Sequence, residues 1–582
     1  VKGCLYKIVL LVLVLALFGG FAFVSLIGVP MWGWGGNSER FAGPVALPPP
    51  WALECWLWED DVNTAAYVEE LLAGYREHDF PVRTILIDSP WTLQYNDFVV
   101  DEDRYPNPAE FFGKLQADGY RVVLWMTNNV NSRSKDTAIQ DSTEWYESVR
   151  DRGYLMNDGG ESTWWKGRGG FIDYTNPEAM EWWRGIQQQA FDWGLDGWKL
   201  DGTATLCFRW VNGVPIPWNK AYAGTMSTRS YMDHYYRDEY RHGLTQNPEF
   251  VTLARSMDDG EVPGAHPRGF APLDAAPMTW VGDQDHTWTV EEEGIEEALR
   301  DILRAAENRY GAIGSDVAGY SGGEIPKNLY IRWAQFSAFC GLFLNGGHGE
   351  RRMWMRSPEE LELVREYSWL HTELVPYIYS HLVAHHEGGD TLMRPDGPKF
   401  EYHFGDAFFV APIHEDRPGR MFTLPQGEWR YWLDDKALLA GGTRVSRDYA
   451  LDEFPVFVRE GSIIPMKIER AYTGIGDETW KDHHAFVIYP GKGARHDYRH
   501  TDQKSRTMVT ASPEAGALGV KLEGALPPHI LRIHAETKPA AVTNNGAPLA
   551  EGAWTYDDAM AKVIIRQSVA AADGKAEYRI TF

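Results

Sequence analysis

The stretch GLDGWKLDG, running from Gly194 to Gly202, carries a buried strand at Gly197–Asp201 that delivers Asp201 to its C-terminal end. Side chains alternate along a strand, so Lys199 shares a face with Asp201. A cation there would hold the carboxylate ionised and oriented, as a nucleophile requires. Taken alone, an aspartate in this position also serves to cap the following turn.

The same design recurs outward from this segment. Short apolar runs at Thr84–Asp88, Arg121–Met126, Phe250–Arg255, Thr279–Asp283, Gly311–Asp316 and Gly341–Asn345 alternate with helical spacing at Tyr67–His78, Pro108–Ala117, Pro177–Trp193 and Glu291–Tyr310. Repeated strand–helix alternation implies a parallel sheet, open or closed. Several strands end in a carboxylate: Asp88, Asp201, Asp283 and Asp316. Barrel enzymes carry their chemistry at the C-terminal strand ends, so the recurrence predicts a (β/α)8 TIM barrel. No GxGxxG follows any strand, which argues against dinucleotide binding. Past about Ser380 the pattern becomes strand-only, with Gly, Pro and Asp between short apolar runs, and predicts two C-terminal β-sandwich-type domains.

TWVGDQDHTW, Thr279–Trp288, is the second informative segment. An indole beside Asp283 would desolvate its carboxyl group and favour the protonated form, the condition for a general acid. An Asp-rich turn binding water or Ca²⁺ is the alternative. One carboxylate kept charged and one kept protonated are what glycosidic cleavage needs. Asp88, Arg255, Asp316 and His348, the last in the glycine-rich NGGHGER loop, are further polar residues at or just after strand ends, fit to surround a small polyol.

Composition narrows the partners. Lys+Arg 56 against Asp+Glu 82 gives a net charge of −26, which disfavours nucleic acid and anionic membrane surfaces. Aromatic residues make up 13%, with 25 Trp, and flat rings stack on the C–H faces of sugars. The four cysteines, Cys4, Cys55, Cys207 and Cys340, show no zinc-like spacing. Near the N-terminus, Ile8–Val29 is 22 residues without a charge, preceded by Lys2 and Lys7. That length fits an uncleaved anchor or an export signal, with the remaining chain outside the cytoplasm. The expected division is a hydrophobic segment at 1–30, a linker at 31–46, the barrel at 47–380, and β-domains at 381–469 and 470–582.

At this point the residues resemble glycoside hydrolase family 31. The ordered blocks are LPPPWALECW (Leu47–Trp56), ILIDSPWTLQYNDF (Ile85–Phe98), FIDYTNPEAMEWW (Phe171–Trp183), DGWKLD, TWVGD, IGSDVAGY, LYIRWAQFSAF, YIYSHL with LMRP, FFVAPI and FPVFVREGSIIP (Phe454–Pro465). The resemblance implies a retaining exo-α-glycosidase acting on an oligosaccharide or glycoside, an α-glucoside or α-xyloside, with no cofactor and no catalytic metal. It makes Asp201 the nucleophile and Asp283 the acid/base. Asp88, Arg255, Asp316 and His348 would bind the hydroxyls of the −1 sugar, with Trp280 as a wall. Lys199 stands where many α-glucosidases of the family have Trp, and is similar to the α-xylosidase branch. An α-galactosidase, a transglycosylase and a catalytically weak carbohydrate-binding protein are the other readings.

Two departures accompany the resemblance. The family's large β-sandwich ahead of the barrel has no counterpart of that size where about 45 residues precede Leu47, so a shortened or incomplete member is expected. The interval from Arg255 to Asp283 is long, and its loop with Asp258, Asp259 and His266 is expected to reshape the site.

Overall fold

A computed structural model describes residues 2–23, 44–202, 209–211, 214–216, 218–256, 271–550, 552–568 and 574–582. Eight parallel strands form one sheet: β1 (Cys55–Glu59), β2 (Val82–Ile87), β3 (Arg121–Met126), β4 (Gly197–Leu200), β5 (Val251–Arg255), β6 (Met278–Trp280), β7 (Ile313–Gly314) and β8 (Leu344–Asn345). Their order is β7-β6-β5-β4-β3-β2-β1-β8. A parallel bridge from Asp316 to Leu344 brings the two ends of that order together, so the sheet is a nearly closed barrel. β1, β4 and β5 are buried along their whole length, as a parallel sheet covered on both faces demands.

The first strand was hidden in the sequence. Reading Thr84–Asp88 as the first strand overlooked β1, because CWLWE follows a proline-rich stretch and shows no alternation. A second difference concerns β6. The ladder stops at Trp280, and Gly282 takes φ +103°, so Asp283 sits on a loop rather than at the end of a strand.

Helix starts follow local chemistry. The helix Pro177–Asp192 has proline in its first turn and Asn176 as N-cap, its side chain accepting from Glu178 N at 3.0 Å. Pro358–Glu373 begins with a capping box between Ser357 and Glu360.

By internal contacts the chain forms two compact units. The first is Val1–Ala46, Val62–Tyr67 and Leu86–Thr279, and the second is Leu47–Asp61, Val68–Ile85 and Trp280–Phe582. Within the first, a helix covers Lys2–Phe23, whose residues 9–23 are exposed. Residues 24–29 of the expected anchor lie outside the described set. Among the described residues no helix is long and apolar enough to cross a membrane.

Within the second unit, four sheets follow residue 392, antiparallel throughout except that His484–Tyr489 and His529–His534 pair in parallel. A six-stranded sheet from Met393 to Arg459 packs Phe409, Trp429 and Phe457 with Phe422 of a two-stranded ribbon. A five-stranded and a six-stranded sheet then share a core that includes Phe486, Val509, Leu531 and Tyr578. This is the expected sandwich arrangement. Ser462–Met466, within the stretch assigned to the proximal domain, is an edge strand of the five-stranded sheet.

Candidate active site

In the first unit, strand register assembles a charged cluster. Ala254 pairs with Leu200, so Arg255, the next residue, falls beside Asp201. Arg255 Nη2 lies 3.5 Å from Asp201 Oδ1, where Gly202 N also donates at 2.7 Å, and Trp125 Nε1 donates to Oδ2 at 3.0 Å. The backbone is pinned as well: Asp201 N donates to Met126 O at 3.1 Å, and Tyr235 OH donates to Asp201 O at 3.0 Å. Burial alone would raise the Asp201 pKa, but Arg255, then Lys199, then the two hydrogen bonds outweigh it and hold the carboxylate below its ordinary value.

Lys199 does this differently from expectation. Its Nζ donates to Asp88 Oδ2 at 2.6 Å, in a pair whose side chains are only 5% and 6% exposed. Its pull on Asp201 is therefore through space, and Arg255 is the nearer cation. Ser89 N donates to the other oxygen of Asp88 at 2.7 Å. The other aspartate of the quoted stretch, Asp196, lies at the opposite end of β4. It accepts from Arg121 Nη1 at 2.7 Å and Val122 N at 2.9 Å, a purely structural anchor. Trp125 continues into an aromatic layer, stacked on Trp164 at 6.4 Å, with Trp165 beyond it 37% exposed.

In the second unit the strand ends carry a different set. Trp58 Nε1 donates to Asp316 Oδ1 at 3.2 Å, and the Trp58 ring stacks on Tyr320 at 5.8 Å. Tyr320 OH donates to Asp60 Oδ2 at 2.7 Å and lies 3.2 Å from His348 Nε2. His348 Nδ1 is 2.5 Å from Asp61 Oδ1, and Gly349 N donates to Asp61 Oδ2 at 2.9 Å. The glycines of the loop are required. A Cβ on Gly346 would meet the Trp58 ring at 2.0 Å, and Gly347, at φ +120°, would meet Tyr320 O at 2.6 Å. Arg351 ties this loop to the one after β7, donating to Val317 O at 2.6 Å and Gly319 O at 2.7 Å.

Trp280 is fully buried, at 1% exposure, whereas Asp283 is exposed. The desolvation expected for Asp283 from the indole is thus not matched by burial of its side chain.

The structure brings Asp88 to Lys199 and Asp201 to Arg255, and it gives Asp316 and His348 the partners Trp58, Tyr320, Asp60 and Asp61. Sequence reasoning missed Trp125, Tyr235 and all four of those partners. The WEDD run after an apolar stretch, Trp58–Asp61, was the available signal. Asp258, Asp259 and His266 lie outside the described residues.

Comparison with known proteins points one way. The profile of the glycosyl hydrolases family 31 TIM-barrel domain matches residues 45–381, and that of the family's C-terminal domain matches residues 385–464. An alpha-xylosidase of Emericella nidulans is 25% identical over 471 residues, covering 74% of this chain and 55% of that protein. An isomaltosyltransferase of Sporosarcina globispora is 23% identical over 576 residues, covering 88% and 50%. The chain spans about half the length of the curated relatives it matches. Among solved structures, a Flavobacterium johnsoniae GH31 dextranase complexed with glucose superimposes with a TM-score of 0.79 at 21% identity, over 93% of this chain and 72% of that one. A cycloalternan-forming enzyme from Listeria monocytogenes gives 0.79 at 20%, over 94% and 55%. At such identities these likenesses speak for the fold.

Proposed function

The chain belongs to glycoside hydrolase family 31, and from that premise we propose that it is a retaining exo-acting α-glycosidase of α-glucosides or α-xylosides. The observation that carries the reading is Asp201: a strand-end carboxylate, 13% exposed, held charged by Arg255 and Lys199 and aimed by the Trp125 indole. A nucleophile must arrive ionised and fixed, and these contacts supply both conditions.

In this reading Asp201 attacks the anomeric carbon and gives a covalent β-glycosyl-enzyme while Asp283 protonates the departing oxygen. Asp283 then acts as base and activates the water that releases the sugar. Asp283 is exposed, so its role relies on the docked sugar to exclude water from it. Asp88, Asp316 and His348 take the hydroxyls of the first sugar. The Asp88–Lys199 pair and the alpha-xylosidase similarity favour xylosides, and the isomaltosyltransferase similarity supports transfer to a second sugar as the alternative fate of the intermediate.

Nitrophenyl α-glucoside, α-xyloside and α-galactoside, followed by NMR of the first-formed sugar, test the proposal. Release of the α-anomer supports it. A β-configured product would mean inversion and would remove Asp201 from the role of nucleophile.

The apolar stretch Ile8–Val29 fits an export or anchoring role that places the catalytic part outside the cytoplasm. A shortened chain beginning at Gly43 that stays soluble and equally active would support this, and one that fails to fold would refute it.

A further inference from the structure

Three side chains from distant parts of the second unit converge where the helix Val375–His386 meets the C-terminal sheets. His381 comes from the helix Val375–His386, Asp406 from the turn between the strands Tyr402–Phe404 and Phe408–Val410, and His496 from the strand Ala494–Arg499. One ligand-capable atom from each lies within 4.8 Å of the others. We propose that these three residues form a binding site for a divalent transition-metal ion of zinc's class, which staples the helix to both β-domains.

The geometry suits such an ion. Zinc–nitrogen and zinc–oxygen bonds of about 2.0–2.2 Å put neighbouring ligand atoms of a tetrahedron roughly 3.3–3.5 Å apart. His381 Nε2 and Asp406 Oδ1 are 3.1 Å apart, close to one such edge. His496 is 6% exposed, and its Nε2 is buried without a hydrogen-bond partner. A buried ring nitrogen left unsatisfied costs free energy, and metal ligation is one of the few things that would recover it. Two imidazoles and a carboxylate favour zinc and its neighbours over calcium or magnesium, which prefer all-oxygen shells. Three protein ligands leave a position for water, and the Asp406 side chain, 57% exposed, gives a path from solvent.

The surrounding residues hold the ligands in place. Tyr377 OH donates to Phe404 O at 3.0 Å, lies 3.2 Å from Asp406 Oδ1, and accepts from Ala407 N at 2.9 Å, which fixes the turn carrying the carboxylate. The Tyr377 ring stacks on His496 at 6.1 Å. Gly405, at φ +60°, allows this approach, since a Cβ there would fall 2.0 Å from Tyr377 Oη and 2.7 Å from His381 Nε2. None of these residues belongs to the proposed glycosidase machinery.

The test uses the full chain, stripped with a chelator and then titrated with zinc chloride by calorimetry and with cobalt(II) by visible absorption. One zinc per chain, a rise in Tm on zinc addition, and visible cobalt bands of a low-coordinate site are expected. Asp406→Asn and His381→Gln should each lower zinc affinity at least tenfold and remove the cobalt bands, while their metal-free nitrophenyl glycosidase activity stays at the wild-type level. No uptake by the wild-type chain, or the same affinity in both variants, would overturn the proposal and leave His381–Asp406 an ordinary ion pair. Because binding is read without turnover, an inactive chain would leave this result intact.

Discussion

At the end of β4 a carboxylate is surrounded by cations, while at the end of β1 an imidazole is surrounded by carboxylates. Asp201 has Arg255 beside it and Lys199 behind it, and Lys199 in turn neutralises Asp88. His348 has Asp61 on one nitrogen and Asp60 with Tyr320 near the other, and its side chain is 36% exposed. The first cluster is closed and charge-balanced before any substrate arrives. The second is open and acidic, with donors and acceptors able to rearrange around hydroxyl groups. In the proposed reading the difference separates a group that must be in one state from groups that must fit a ligand.

The largest effect should come from breaking the first cluster at its centre. Asp201→Ala should lower kcat by roughly 10⁴–10⁶-fold on every glycoside, as loss of other catalytic nucleophiles does. Retained activity on any one substrate, measured with nitrophenyl glycosides, would mean that the cationic cage serves stability alone. Asp283→Ala comes next, at about 10²–10⁴-fold for an unactivated disaccharide, the usual contribution of general acid catalysis. Nitrophenyl substrates, whose leaving group needs little protonation, should suffer less, and added azide should be captured as an α-glycosyl azide. Equal losses on both substrates would contradict the acid role.

Smaller changes sharpen the contrast between clusters. Lys199→Met strands the buried Asp88 charge and should cost about 3–5 kcal/mol of stability, visible in denaturant unfolding. His348→Ala touches exposed groups and should leave unfolding nearly unchanged while lowering kcat/KM roughly ten- to a hundred-fold, the value of a charged hydrogen bond to substrate. If His348→Ala were the more destabilising of the two, the second cluster would be structural and the comparison would fail.

How far the sequence alone could reach follows the same division. The strand ends of the first unit were legible because GWKLD and FVTLAR are buried runs closed by one charged residue each. The cation next to Asp201 was assigned to Lys199 because period-2 alternation works within a strand, while the register that sets Arg255 beside Asp201 is a relation between strands. β1 escaped notice because CWLWE follows directly on the Gly- and Pro-rich stretch and reads as its continuation, and Asp60 and Asp61 were lost with it. Asp283 was placed on a strand because TWVGD reads as one unbroken apolar run, but Gly282 at positive φ ends the ladder's reach. His381, Asp406 and His496 have no spacing pattern at all, since three separate elements supply them.

The smallest effect is the response of the first cluster to acid. The fold holds the Asp201 carboxylate below its ordinary value, which is about 3.9 in an unfolded chain. Between the unfolded value and the lower folded one, the unfolded state binds more protons, so stability rises with pH across that window. The contribution is complete above the unfolded value and disappears as pH falls through the folded one. Asp201→Asn should remove it, so the stability difference between wild type and variant should change only on the acid side of about pH 4–5. The cationic neighbour can be probed separately. Arg255→Met removes the nearest positive charge and should move the acid limb of kcat/KM to higher pH, because Asp201 then takes up a proton more readily. Arg255→Lys keeps the charge, although not the guanidinium geometry, and should return the limb towards its original position even if kcat/KM stays low. An acid limb that does not move in Arg255→Met would show that Lys199 and the Trp125 hydrogen bond suffice to keep Asp201 ionised, and the weight given to the register between β4 and β5 would have to shift to the strand pair β3 and β4.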